Sequence, residues 1–188
     1  MKKVKLQLQT SLDGYIADTN DKMDWITWTP DEGFIECATD LIDTSGTILM
    51  GRKLAQGFIP YWTEITKNPN DPQYSFAKKM VDTPKIVFSK TVDGSDWHNT
   101  KVNSGDLTTE INKLKQGDGK DIIVYGGSKF ASSLIKNGLI DEYHLFVNPA
   151  ILGDGLPIYK MVENAKQLKL MEARPLQNGI VLLRYKPA

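Results

Sequence analysis

Three short segments of this chain deliver glycine, hydroxyl and cationic side chains immediately after an apolar run. Ile48-Leu49-Met50 leads into Gly51-Arg52-Lys53, Ile86-Val87-Phe88 into Ser89-Lys90, and Ile122-Ile123-Val124-Tyr125 into Gly126-Gly127-Ser128. A buried strand that hands over to such a segment at the start of a helix has the form of an anion site. Glycine lets the backbone approach a ligand closely, and the unpaired N–H groups that open a helix favour a phosphate. One such junction is ordinarily just a turn. Three of them in 188 residues are better explained together, as a cradle for a ligand carrying several phosphates. The spacing is not G-x-G-x-x-G, so an ordinary dinucleotide fingerprint is absent.

Other chemistries find little support. Cys37 is the only cysteine, which excludes an intrachain disulfide and a cysteine-rich zinc site. His98 and His144 stand far apart and in no metal-ligand spacing, so no metal is expected. Ser133-Leu134-Ile135-Lys136 fits S-x-x-K but lies in an amphipathic helical pattern without the partner motifs that a serine nucleophile needs. Lys+Arg and Asp+Glu both number 23, leaving no overall charge to draw nucleic acid or an anionic membrane. No stretch reaches the roughly 20 apolar residues of a membrane span, and no apolar region follows the N-terminal lysines. A cytoplasmic protein with a small-molecule ligand, and neither nucleic acid nor membrane as partner, is the expectation.

The elements that must position the three junctions alternate between strand and helix patterns. Val4, Leu6 and Leu8 alternate with polar residues as a strand, and a long loop follows through Trp25. Phe34, Ile35, Ala38, Leu41 and Ile42 share one helical face after Thr29-Pro30-Asp31, a helix start signal. Strands are predicted at 47–50, 86–88, 122–125 and 143–147, and helices around Leu107–Leu114 and Phe130–Ile135. The stretch from Phe58 to Pro72, rich in Pro and Asn, is expected to be irregular. Gln177-Asn178-Gly179 marks a hairpin between 168–173 and 180–185. Parallel βαβ units giving way to antiparallel strands predict an α/β fold with a mixed, mainly parallel sheet and a C-terminal antiparallel hairpin. One domain over residues 1–188 accommodates all of it, and a ligand belongs at the crevice of the strand ends.

Ser11-Leu12-Asp13-Gly14-Tyr15-Ile16-Ala17, Met50-Gly51-Arg52-Lys53, Ser89-Lys90, Val124-Tyr125-Gly126-Gly127-Ser128 and Leu152-Gly153-Asp154-Gly155 follow one another in this order. In this the chain resembles the C-terminal reductase domain of the bacterial riboflavin-biosynthesis deaminase/reductase (the RibD C-terminal domain family) as a stand-alone member. Those proteins have the dihydrofolate reductase-like fold, a three-layer α/β/α sandwich. The resemblance implies NADPH as cofactor. Gly51, Arg52 and Lys53 would hold its pyrophosphate and 2′-phosphate, Ser89 and Lys90 the adenosine ribose phosphate, and Gly126, Gly127 and Ser128 the pyrophosphate and nicotinamide side. The cluster Arg52, Lys53 and Lys90 favours NADPH over NADH, whereas Leu54 replaces a threonine that helps hold phosphate in many relatives.

By the same resemblance Asp13 lies near the substrate and would position it. Trp25 and Trp28 offer flat apolar surface for a substrate ring, and Glu32, with Asp31 as the alternative, takes the place of the pocket acid. A buried carboxyl beside aromatics would have a raised pKa and would protonate or orient a substrate. The plainer reading is that Asp31 and Glu32 complement the positive end of a helix. The implied activity is hydride transfer from NADPH to a C=N or C=O group of a small heterocyclic or sugar-like molecule. It would be 5-amino-6-(5-phosphoribosylamino)uracil reductase-like or dihydrofolate reductase-like. The alternative is an NADP-binding sensor or interaction protein without turnover. Relatives of this type commonly form homodimers, which implies one here through the 168–185 hairpin.

Overall fold

The computed structural model describes residues 1–26, 31–92, 94 and 96–188. Strand β1 (Val4–Thr10) alternates as its sequence demands. Val4, Leu6 and Leu8 are buried on one face, and Lys5, Gln7 and Gln9 point to the other. Helix α1 (Glu32–Asp43) leads into β2 (Ser45–Gly51), and α2 (Arg52–Ile65) with α3 (Tyr74–Asp82) leads into β3 (Lys85–Phe88). The edge strand β4 (Thr100–Asn103) follows, then α4 (Leu107–Gln116), β5 (Asp121–Tyr125), α5 (Ser128–Lys136) and β6 (Glu142–Val147). Strands β7 (Leu168–Pro175) and β8 (Val181–Pro187) form the C-terminal hairpin.

The eight strands are ordered β4-β3-β2-β5-β1-β6-β8-β7, parallel up to β6 and antiparallel beyond it. Ile111 of α4 and Ala131, Leu134 and Ile135 of α5 bury one face of the sheet together with Leu6, Leu49 and Val124. Leu41 and Ile42 of α1, Ile59 of α2 and Met80 of α3 bury the other against Ile48, Ile123 and Phe146. The expected three-layer α/β/α architecture with its mixed sheet and terminal hairpin is therefore present. No helix among the described residues is long and apolar enough to cross a membrane.

Two local expectations are corrected, and one helix forms where no element was predicted. Residues 58–65 are helical despite Pro60, because Ala55, Phe58, Ile59 and Trp62 continue a buried face across it, and that burial outweighs the lost hydrogen bond. Helix α3 forms inside a polar sequence around only two buried residues, Ala77 and Met80. Ile35, placed on the buried face of α1 by spacing, is 50% exposed, and Cys37 is buried instead. The open edge of β7 also presents Leu170 and Met171, both substantially exposed.

His144 on β6 is buried between Gln7 of β1 and Arg184 of β8. Burial pushes its pKa down to about 4, Arg184 pushes the same way, and the hydrogen bond to Glu142 only partly opposes them. The unfolded chain, with an ordinary histidine, therefore takes up a proton first as pH falls. This contribution to stability is complete above about pH 6.5 and is lost progressively toward pH 4. Unfolding titrations should show a loss of about 2 kcal/mol between pH 7 and 5, and His144→Gln should flatten that slope. An unchanged slope in the variant would show that another group carries the dependence.

Candidate functional site

Because β1, β2, β3, β5 and β6 run parallel, their C-terminal ends open on one edge of the sheet. There the neighbouring strands β2 and β5 hand over to α2 and α5. The two helix starts face each other. A Cβ on Gly51, the N-cap of α2, would lie 3.1 Å from Cβ of Phe130 in the first turn of α5. A Cβ on Gly127, the N-cap of α5, would lie 3.9 Å from Cβ of Leu54 in the first turn of α2. Neither cap position supplies a side-chain hydrogen bond. Each helix start carries roughly half a positive charge from its peptide dipoles, so two uncapped starts side by side make a site for a polyanion.

Packing accounts for much of the glycine pattern. At Gly126 a Cβ would come within 2.3 Å of Cδ2 of Leu8, and at Gly51 it would crowd Phe130, which stacks on Phe88. These two glycines let strand ends and helix starts approach one another, whereas the sequence reading assigned them to ligand approach. Gly127, at φ 153°, has more room around it. Leu54, the departure noted in the sequence, packs with the partly buried residues of the α1–α3 layer.

The structure separates the predicted cations. Arg52 lines a cavity of about 290 Å³ with Gln56, Val87, Val92, Gly94, Asp96, Trp97 and Val102. Lys53 instead pairs with Asp21, on the loop that follows β1. Asp21 sits at φ 65° in a turn closed by Asp18, whose carboxylate accepts from Asn20 N and Lys22 N at 2.8 Å each. Lys90 is exposed, and Ser89 Oγ accepts from the backbone of Thr91 and Val92 at 3.1 and 3.2 Å. Ser128 Oγ donates to the Pro157 carbonyl at 2.7 Å. Both hydroxyls expected to meet a ligand thus hold backbone, and Ser89 N itself donates to Asn103 O at 3.1 Å, so of the two only Ser128, at the start of α5, has main chain to offer at the edge.

On the far side of β5 the loop after β1 is stitched to residues 150–157. Leu12 N donates to Ala150 O, Ile16 N to Leu156 O and Leu156 N to Ala17 O, and Tyr15 bridges Pro157. Asp13 fastens the end of this ladder. It accepts from Ser11 Oγ at 2.6 Å, Gly153 N at 2.7 Å and Leu152 N at 3.2 Å. The Ser11 hydroxyl foremost, with the two amides, holds its carboxyl below the usual range, so Asp13 is an exposed, ionised anchor.

The expected pocket acid is also redefined. Glu32 is exposed on the first turn of α1, whereas Asp31 is buried as its N-cap. Burial alone would raise the pKa of Asp31, but the amides of Phe34, Asn178, Gln177 and Gly33 outweigh it and lower the value. The buried carboxyl is thus a committed carboxylate that joins α1 to the β7–β8 turn, contrary to the raised pKa expected of a pocket acid. Both acids line a cavity of about 430 Å³ with Gly33, Glu36, Arg174 and Leu176–Gln177. Arg174 there is paired with Glu36 at 2.6 Å. Trp25 is half-buried with its indole N–H enclosed and unpartnered; Trp28 lies outside the described residues. Among these residues no group of three or more His, Cys, Asp or Glu is gathered as a metal site. Gln56, Asp96 and Trp97 were not among the expected site residues: Gln56 is a polar position of α2, and the segment of Asp96 and Trp97 has no periodicity to show that it faces the Val87 strand.

A model of the RibD C-terminal domain matches residues 2–182. The chain belongs to that family. Among its relatives is the Bacillus subtilis (strain 168) protein YyaP, 35% identical over 185 residues, covering 98% of this chain and 94% of YyaP. The fold is shared with the diaminohydroxyphosphoribosylaminopyrimidine deaminase/5-amino-6-(5-phosphoribosylamino)uracil reductase of Thermotoga maritima. There the TM-score is 0.68 at 20% identity, over all of this chain and 57% of that one. It is shared too with Enterococcus faecalis dihydrofolate reductase complexed with NADP(H) and RAB-propyl, with TM-score 0.65 at 12% identity over 98% and 96% of the two chains. In this member of the RibD C-terminal domain family, Asp13→Ala should free the 150–153 segment. Amide exchange at Leu152 and Gly153 should quicken roughly tenfold while the β1 and β5 amides stay protected. Unchanged exchange would show that the backbone ladder alone holds the segment.

Proposed function

We propose that this chain is an NADPH-dependent reductase acting on a C=N or C=O group of a small heterocyclic or sugar-like molecule. The observation that carries the reading is the pair of uncapped helix starts in contact across β2 and β5. A pyrophosphate between them would receive N–H groups from both α2 and α5, with Arg52 and Lys129 close by in sequence. The Arg52 cavity, with its valines and Trp97, fits an adenosine. The residues present therefore suit the cofactor, and when bound it supplies the hydride. Relatives support the same reading, one carrying a uracil reductase and another holding NADP(H).

The protein's part is orientation and exclusion of water. The stitched loop of residues 11–17 would cover the nicotinamide end, with Asp13 fixing that loop and accepting hydrogen bonds. Trp25 would present its ring to the substrate, and Glu32, which is not committed to backbone donors as Asp31 is, would orient it. Commitment of both Asp13 and Asp31 to amides favours a second reading, a nucleotide-binding protein without turnover. That reading predicts binding with no oxidation of NADPH by any carbonyl or imine compound.

Titration with NADPH and with NADH, followed by tryptophan fluorescence, tests the proposal. NADPH should bind, and Arg52→Ala should weaken it about tenfold, toward the NADH value. Failure of both nucleotides to bind would overturn the reductase reading.

A further inference from the structure

The cavity beside Arg52 contains a charge that the cation count in the sequence conceals. Asp96 lines it with Arg52, and neither side chain makes an ion pair among the described residues. Lys53, which would add positive charge, is taken by Asp21. The lining thus couples an apolar part, Val87, Val92, Val102 and Trp97, to one uncommitted guanidinium and one uncommitted carboxylate. The two charged groups have opposite preferences. A guanidinium binds a phosphate through paired charge-assisted hydrogen bonds, whereas a carboxylate accepts from the hydroxyls of an unmodified ribose and repels a phosphate.

We propose that Asp96 is a specificity-determining residue of the adenosine subsite. It opposes Arg52, narrows the preference for a 2′-phosphate over a 2′-hydroxyl, and lets the site accept NADH as well as NADPH. This rests on the reading that the strand-end edge takes a nicotinamide dinucleotide. The residue is exposed, so replacing it leaves the core intact.

The test uses the adenosine halves alone, so it is independent of turnover. Affinities of adenosine 2′,5′-bisphosphate and of ADP are measured by calorimetry for the wild type, Asp96→Asn, Asp96→Ser and Arg52→Ala. Both Asp96 variants should bind the bisphosphate roughly five- to tenfold more tightly at low salt, with less gain at high salt. Their affinity for ADP should stay the same or fall. Arg52→Ala should lose affinity for the bisphosphate. If the ratio of the two affinities is the same in wild type and both Asp96 variants, the proposal is overturned while the reductase reading stands. If neither fragment nor NADPH binds the wild type, the reductase reading falls and this proposal falls with it.

Discussion

Everything at the strand-end edge depends on how closely two helix starts can approach. β2 and β5 are adjacent in the sheet, so the helices that follow them must begin side by side. A side chain at Gly51 would press on Phe130, and one at Gly126 would meet Leu8. Glycine at these two positions removes the obstruction, and Phe130 fills the space by stacking on Phe88. Two dipole ends then sum to roughly one positive charge in a small volume, with no side chain from either cap residue to neutralise it. The apolar packing below the edge and the polar opportunity above it are consequences of the same contact.

The rest of the edge is built by tying loops to this fixed point. Ser128 and Ser132 of α5 hold the carbonyls of Pro157 and Ile158. Residues 150–157 in turn hold the loop after β1, which Asp13 fastens. Gly155 is required within this chain of contacts, because a Cβ there would come within 2.3 Å of the Ala17 carbonyl oxygen. Side chains that look like ligand contacts in a motif, Ser128 and Asp13 above all, act here by positioning backbone. Toward the proposed nucleotide they would act indirectly, through the loop and helix start that they hold in place.

Much of this was legible in the residues. Alternation in β1, the apolar runs of β2, β3 and β5, and the Asn-Gly turn before β8 specify their elements by local pattern. The glycine junctions fall at the C-terminal edge of the parallel strands. What local pattern could not carry was partnership at a distance. Lys53 and Asp21 are 32 positions apart, and Asp31 meets Asn178 across 147. Asp96 and Trp97 face Val87 from a segment with no periodicity. The same limit explains Pro60, whose local tendency to break a helix yields to burial on either side of it. Between Asp31 and Glu32, register along the chain was uninformative, and only the N-cap geometry distinguishes the buried acid from the exposed one.

If the facing starts of α2 and α5 together form a nucleotide phosphate site, both must respond when NADPH binds. Backbone amide shifts of the isotope-labelled protein, followed by NMR as NADPH is added, test it most directly. The largest changes are expected at Arg52, Lys53 and Leu54 and at Ser128, Lys129 and Phe130, with both groups moving in the same titration. Changes confined to the cavity between α1 and the β7–β8 hairpin, or to one helix start alone, would contradict a shared phosphate site.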